Sequence, residues 1–241
     1  PVLRILLQRA GNDSLRSRAI QLLADRKDTG SLEVRRALVG DESASEALRG
    51  AAGVALVRLG DETGADLVRS LIAAGKLPYG DLTRLLQSLQ TREAAEPYFE
   101  VLRDRIFASE LWNERVVIVD FLARRGDRKL LERIDGLFDD EQAEVAEAAA
   151  RAILTLGRSP ENLKKYLADP DLRLRFKVEV AGALLLVDDF EGLAVLIEAS
   201  ASEEALVRRS AVTHLGNARV EEVVTTLIER LADTDPTVRA A

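Results

Sequence analysis

A thirteen-residue pattern recurs along the chain, and no other feature restricts the fold so much. Its clearest copy is Leu48-Arg-Gly-Ala-Ala-Gly-Val-Ala-Leu-Val-Arg-Leu-Gly60. Copies begin at Leu15, Leu48, Leu82, Glu114, Val145, Phe176, Val207 and Val238, and the last four intervals are each 31 residues. The second slot is basic at Arg16, Arg49, Arg115, Lys177, Arg208 and Arg239, and fails at Thr83 and Ala146. The copy at Leu82 is the weakest, and the copy at Glu114 has lost its leading apolar residue. A fixed period of this length means a stacked repeat, because one unit cannot bury its apolar face alone.

Within each copy the apolar residues fall at three- and four-residue steps, as at Leu48, Ala52, Ala55, Leu56 and Leu59. That spacing puts them on one face of a helix. Gly60, Gly126 and Gly157 stand where a helix C-terminus needs a left-handed residue, and Asp61 and Asp127 suit the following N-cap. A second helical pattern lies between copies, as in Ala65–Ile72 and Val220–Leu231. No segment alternates with period two, so no sheet is expected.

Composition narrows the function. There is no Cys, which excludes disulfide scaffolds and thiolate chemistry, and one His, His214, which excludes sites needing two imidazoles. No calcium-type loop or Gly-rich phosphate loop is present. The expectation is therefore no metal and no cofactor. Net charge is −7; residues 1–120 hold 17 basic and 18 acidic side chains, and the remainder 17 and 23. Neither half has the basic excess of a nucleic-acid binder. No apolar run is long enough to span a membrane and no secretory signal is visible, so a cytoplasmic location is expected. Methionine is absent even at position 1, and the last copy stops at Ala241, so a piece of a longer chain is expected, with Leu227, Leu231 and Val238 partly uncovered.

The pattern resembles the HEAT repeat family, and within it the short phycobilisome-lyase-like repeats, whose motif runs Asp-Pro-x-Val-Arg-x-x-Ala-Ala-x-Ala-Leu-x-x-Leu-Gly-Asp. Leu48 to Asp61, Val207 to Gly216 and Asp235 to Ala241 carry the likeness. It implies an all-α fold: an α-α superhelix, a right-handed solenoid of about seven helical hairpins plus a partial one, with residues 1–241 as a single domain. It also implies that the motif helices line a concave groove.

On that arrangement the variable slots face the groove, among them Gly50, Val54, Arg175 and Val178. The expected binding surface is Trp112, Val116, Asp120, Glu147, Arg151 and Glu179: mixed charge around one aromatic anchor, the character of a protein or peptide interface. Trp112 has a second reading, as packing over the irregular third and fourth copies. The recurring Arg reads as a structural bond to adjacent repeats rather than an anion ladder. His214 falls in a core-facing slot, with no acid or nucleophile placed by spacing to pair with it. The main expectation is a non-enzymatic scaffold for a protein or peptide partner, or for another domain of the same chain. The alternative is a subunit of a phycobilin-lyase-like chromophore-attachment complex. A HEAT-like DNA glycosylase, echoed by Trp112 and Asp120, is disfavoured by the charge. The deoxyhypusine hydroxylase branch needs repeated His-Glu pairs and is excluded.

Overall fold

A computed structural model of the protein describes residues 2–9, 11–138, 140–157 and 160–241. The chain is all-α; among the described residues there is no strand. It divides into two compact units, Pro1–Phe121 and Leu122–Ala241, each considered by itself.

The first unit contains α1 (Val2–Arg9), α2 (Asp13–Asp25), α3 (Leu32–Gly40), α4 (Glu46–Arg58), α5 (Ala65–Ala73), α6 (Tyr79–Ser88), α7 (Arg92–Ala95) and α8 (Phe99–Ala108). It also holds most of α9 (Trp112–Arg124). The second contains α10 (Ala143–Gly157), α11 (Glu161–Ala168), α12 (Leu174–Leu185), α13 (Leu193–Ala199), α14 (Ala205–Asn217), α15 (Val224–Arg230) and α16 (Pro236–Arg239). Two 3-10 turns, Arg128–Glu132 and Ile134–Leu137, take the place of the helix expected before α10.

Most of the sequence signals act where expected; Asp127 stands at the N-cap of the turn Arg128–Glu132, but its side chain makes no capping bond there. Asn12 caps α2 by accepting from the amides of Ser14 and Leu15, and Ser45 caps α4 by accepting from that of Leu48. Gly60 and Gly126 turn left-handed after α4 and α9. Asp61 and Asp235 cap the turns that follow them. Gly157 is the last residue of α10, and the position after it lies outside the described residues.

The motif helices pack directly on one another, α2 on α4 and α4 on α6 in the first unit, then α10 on α12, α12 on α14 and α14 on α16 in the second. Their leading slots form the core: Leu48, Leu82, Val145, Phe176, Val207 and Val238 are buried, while Leu15 is exposed. Val238 corrects the expectation of an uncovered side chain; Leu231 is exposed and Leu227 half-buried, as expected. Glycine sets the closest approaches. A Cβ on Gly64 would come within 2.6 Å of the Gly53 Cα, and one on Gly192 within 2.5 Å of the Ala181 Cβ. The same device, a glycine entering one helix against a small residue on the motif helix before it, thus appears in both units.

The recurring Arg is a tie within and between hairpins. Arg16 Nε donates to the Leu7 carbonyl and Arg49 Nε to the Val39 carbonyl, each at 3.2 Å. Arg208 Nη1 donates to the Ser202 carbonyl at 2.9 Å, while its Nε and Nη2 fork onto Asp233 at 2.9 and 2.8 Å. That fork holds the Asp233 carboxyl down to about 2. At Arg16, Arg49 and Arg208 these bonds turn the guanidinium toward the fold, the structural role expected of the recurring Arg.

Two expected groove slots are corrected: Gly50 and Val54 are buried. Near them Gln21 on α2 donates to Asp81 on α6 at 3.1 Å, joining the first copy to the third past the second. Asp81 is buried, and its other partner is Arg84 at 3.3 Å. Burial, the largest influence, pushes the Asp81 carboxyl above the usual carboxylate range. The folded state therefore favours the protonated form, and the buried carboxylate is a cost that is full above the raised pKa and fades as pH falls through it. Asp81→Asn keeps an acceptor for Gln21 and removes the charge. It should stabilise the protein by up to about 1 kcal/mol at neutral pH. The difference should shrink below about pH 4. Urea titrations at the two pH values would check this, and a loss of stability at neutral pH would contradict it.

Candidate functional site

In the second unit the first turns of α12 and α14 and the approach to α10 enclose a cleft of about 90 Å³. Three side chains in equivalent slots, 31 residues apart, line it: Glu144, Arg175 and Leu206. Glu144 and Arg175 are half-buried, and Leu206 is 61% exposed although it is a large aliphatic residue. Arg175 Nη2 donates to the Glu141 carbonyl at 2.8 Å, which holds its guanidinium over the entrance to α10. Arg209 lines the same cleft.

Glu179 also lines it, and is 3% exposed. This corrects the expectation that it stands free on the groove, and Val178 is buried as well. The reason is lateral packing: α14 lies across that part of α12 and covers it. One Glu179 oxygen accepts the Ser210 hydroxyl, and the other faces His214 Nε2 at 2.9 Å. Gly182 makes room for the imidazole, since a Cβ there would overlap Nδ1. His214 is mostly buried, as its slot predicts, but it has an acid partner that spacing alone did not reveal. A signal existed: Ser210 lies one repeat of 31 residues after Glu179. Serine and histidine both address the carboxylate, with the acid in the middle. A serine nucleophile needs the imidazole in the middle, so this trio fixes α12 to α14 and shapes the floor of the cleft.

The remaining expected residues divide between the units. Trp112 opens α9 and is 43% exposed, beside exposed Phe107 and Leu111; Val116 and Asp120 on the same helix are half-buried. Thus Trp112 is not an interior packing residue. Glu147 and Arg151 are half-exposed on α10 and ion-paired to each other. Among the described residues there is no group of three His, Asp or Glu arranged to hold a metal ion. No described helix is long and apolar enough to cross a membrane.

No family model matches the chain, and no curated protein matches it. Among solved structures, one similar to the chain is the complex of CpcE and CpcF of phycocyanin lyase from Nostoc sp. PCC7120. The identity is 19%, the match covers 94% of this chain and 90% of that one, and the TM-score is 0.45. It corrects one expectation. A structure of similar helical-repeat type is that of a lyase, so the lack of a spaced catalytic constellation does not mark this chain as a non-enzyme, and that reading is withdrawn.

Proposed function

We propose that the protein is a helical-repeat subunit that binds a protein partner through its motif-helix face, centred in the second unit on the cleft of Glu144, Arg175 and Leu206. The observation that carries this reading is the exposed Leu206 beside a fixed guanidinium and a carboxylate. An aliphatic anchor ringed by charges of both signs suits a partner that desolvates the centre and sets register at the rim. Glu147 and Arg151 extend the charged surface along α10. Trp112, with Phe107 and Leu111, is a second anchor on the first unit.

A photo-crosslinking residue at position 206, in cells of the source organism, tests the reading. A discrete crosslinked protein is expected, and Arg175→Glu should abolish it. With the purified partner, Leu206→Glu should weaken binding by roughly thirtyfold, the range of an interface hot spot. Unfolding free energy should move by no more than about 0.5 kcal/mol, as for an exposed site. Crosslinking no stronger than from position 186, an exposed leucine elsewhere on the unit, would defeat the proposal.

The second reading is a subunit of a chromophore-attachment complex resembling the phycobilin lyases. It is supported by the subfamily that the repeat resembles, and the similar solved structure is likewise that of a phycocyanin lyase. Under this reading the protein, alone or with its partner, shifts the absorption band of an added linear tetrapyrrole. An unchanged spectrum with both present removes it.

A further inference from the structure

In the first unit, the turn between α8 and α9 presents three large apolar side chains: Phe107, Leu111 and Trp112 are 42%, 51% and 43% exposed. The chain is poor in aromatic residues and has a single Trp, which this turn places in solvent beside a Phe and a Leu. Large apolar side chains gathered in this way on a surface mark an interaction site.

The turn is held by polar groups that are themselves out of solvent. Arg105 on α8 forks onto Glu114 on α9, the Ser109 hydroxyl donates to the same carboxylate, and the Leu111 amide donates to Ser109 Oγ at 3.2 Å. Ser109 and Glu114 are both buried. Glu114 occupies the leading slot of its copy, where every other copy is apolar. An apolar pair in place of Arg105 and Glu114 would hold the core as well, since a buried ion pair repays little beyond its desolvation. What the polar network adds is a fixed course for the chain from Phe107 to Trp112. A surface fixed before binding loses less entropy when it is covered.

The exposed charges of this stretch have one sign. In residues 99–117 they are Glu100, Asp104 and Glu110; Arg103 and Arg115 are half-buried and engaged, and Arg105 is committed to Glu114. Asp104 is engaged as well, whereas Glu100 and Glu110 have no ion pair or hydrogen bond among the described residues. Glu100, Asp104 and Phe107 follow at steps of four and three, which puts them on one face of α8. Glu100 thus lies about 10 Å along the helix from Phe107, and Glu110 adjoins Leu111 in the chain.

We propose that this surface docks a basic amphipathic helix of a protein partner, its apolar residues over Phe107, Leu111 and Trp112 and its Lys or Arg side chains against Glu100 and Glu110, with the Arg105–Glu114 pair positioning the turn. The inference rests on the reading of the chain as a binder of a protein partner, and gives the anchor on the first unit its own kind of occupant. The acidic rim steers a basic segment toward the apolar centre and repels an acidic one. Glu100 and Phe107 are two helix turns apart, the separation at which a helix repeats a face, so a single partner helix laid along α8 meets both.

Trp112 is the only Trp in the chain, so its fluorescence reports on this surface directly. The test adds to the full chain an amphipathic helical peptide of leucine and lysine, and separately the same peptide with glutamate for lysine. The lysine peptide should shift Trp112 emission to the blue, with binding that weakens as salt is added, and the glutamate peptide should not. Glu100→Lys with Glu110→Lys should weaken binding at least about tenfold, and Leu111→Glu about thirtyfold, with the melting temperature unchanged, as for exposed sites. Arg105→Met with Glu114→Leu should weaken it by about three- to tenfold, the cost of ordering the turn on binding, and Ser109→Ala should act in the same direction. No blue shift at millimolar lysine peptide, an equal shift with the glutamate peptide, or unaltered affinity after the charge reversal would each overturn the proposal. A blue shift with phosphatidylcholine vesicles and none with the lysine peptide would also overturn it. Unaltered affinity in both turn variants would overturn the positioning role. Leu206→Glu should leave the peptide affinity unchanged, so failure at the cleft of the second unit and failure here are distinguishable.

Discussion

Glu114→Ala is expected to destabilise the protein by about 3–5 kcal/mol, the cost of stranding one member of a buried ion pair. Glu114 stands in the motif's leading slot, apolar in every other copy, and is 5% exposed. Its carboxylate is fully engaged. Arg105 forks onto it with Nε at 2.7 Å and Nη2 at 3.0 Å, and the Ser109 hydroxyl donates at 2.8 Å. Gly75, in left-handed conformation, leaves space for the guanidinium; a Cβ there would lie 2.5 Å from Arg105 Nη1. Deleting the acid leaves a mostly buried cation beside an unfilled space. Replacing both partners, as in Glu114→Leu with Arg105→Met, restores the repeat's apolar consensus and should be neutral or stabilising. Chemical denaturation of the three proteins decides the matter. A single-variant loss below about 1 kcal/mol would mean that solvent reaches Arg105 and the pair is of the surface kind.

Gly64→Ala should cost about 3 kcal/mol, the upper range for overpacking. The new methyl would meet the Gly53 Cα at 2.6 Å and the Gly53 carbonyl oxygen at 2.9 Å, and neither is the end of a flexible side chain. The backbones of α4 and the turn before α5 must separate. Gly192→Ala should behave alike against Ala181. Gly216 supplies the contrast. A Cβ there meets nothing within 4 Å, and the residue lies in the last turn of α14. Gly216→Ala should therefore be neutral or gain up to about 1 kcal/mol from helix propensity. Thermal melts of the three variants check the ordering, and equal effects at Gly64 and Gly216 would disprove the close-approach explanation.

These sites show what could be read in the chain and what could not. The period, the helix starts and most leading slots were legible, because each depends on contacts within about one repeat. The tie made by Arg49 was legible for the same reason. Glu114 looked like a decayed copy, because its compensation lies on α8, in a segment whose motif gave no warning of it. The groove slots failed at Gly50, Val54, Val178 and Glu179. A template says which side of a helix a residue faces, but the sideways offset between packed helices decides whether a neighbour covers it. Glu179 faces the expected side and is buried by α14. Leu206 had no sequence signal, since its interest comes from its exposure.

The bond from Gln21 to Asp81 changes how the first unit comes apart. Repeat stacks ordinarily loosen one interface at a time, each step depending only on the adjoining pair. Here, lifting the first hairpin off the second also breaks a contact with α6 in the third. Fraying at that end is thereby coupled to the interior through one bond that nearest-neighbour packing does not include, worth about 1 kcal/mol.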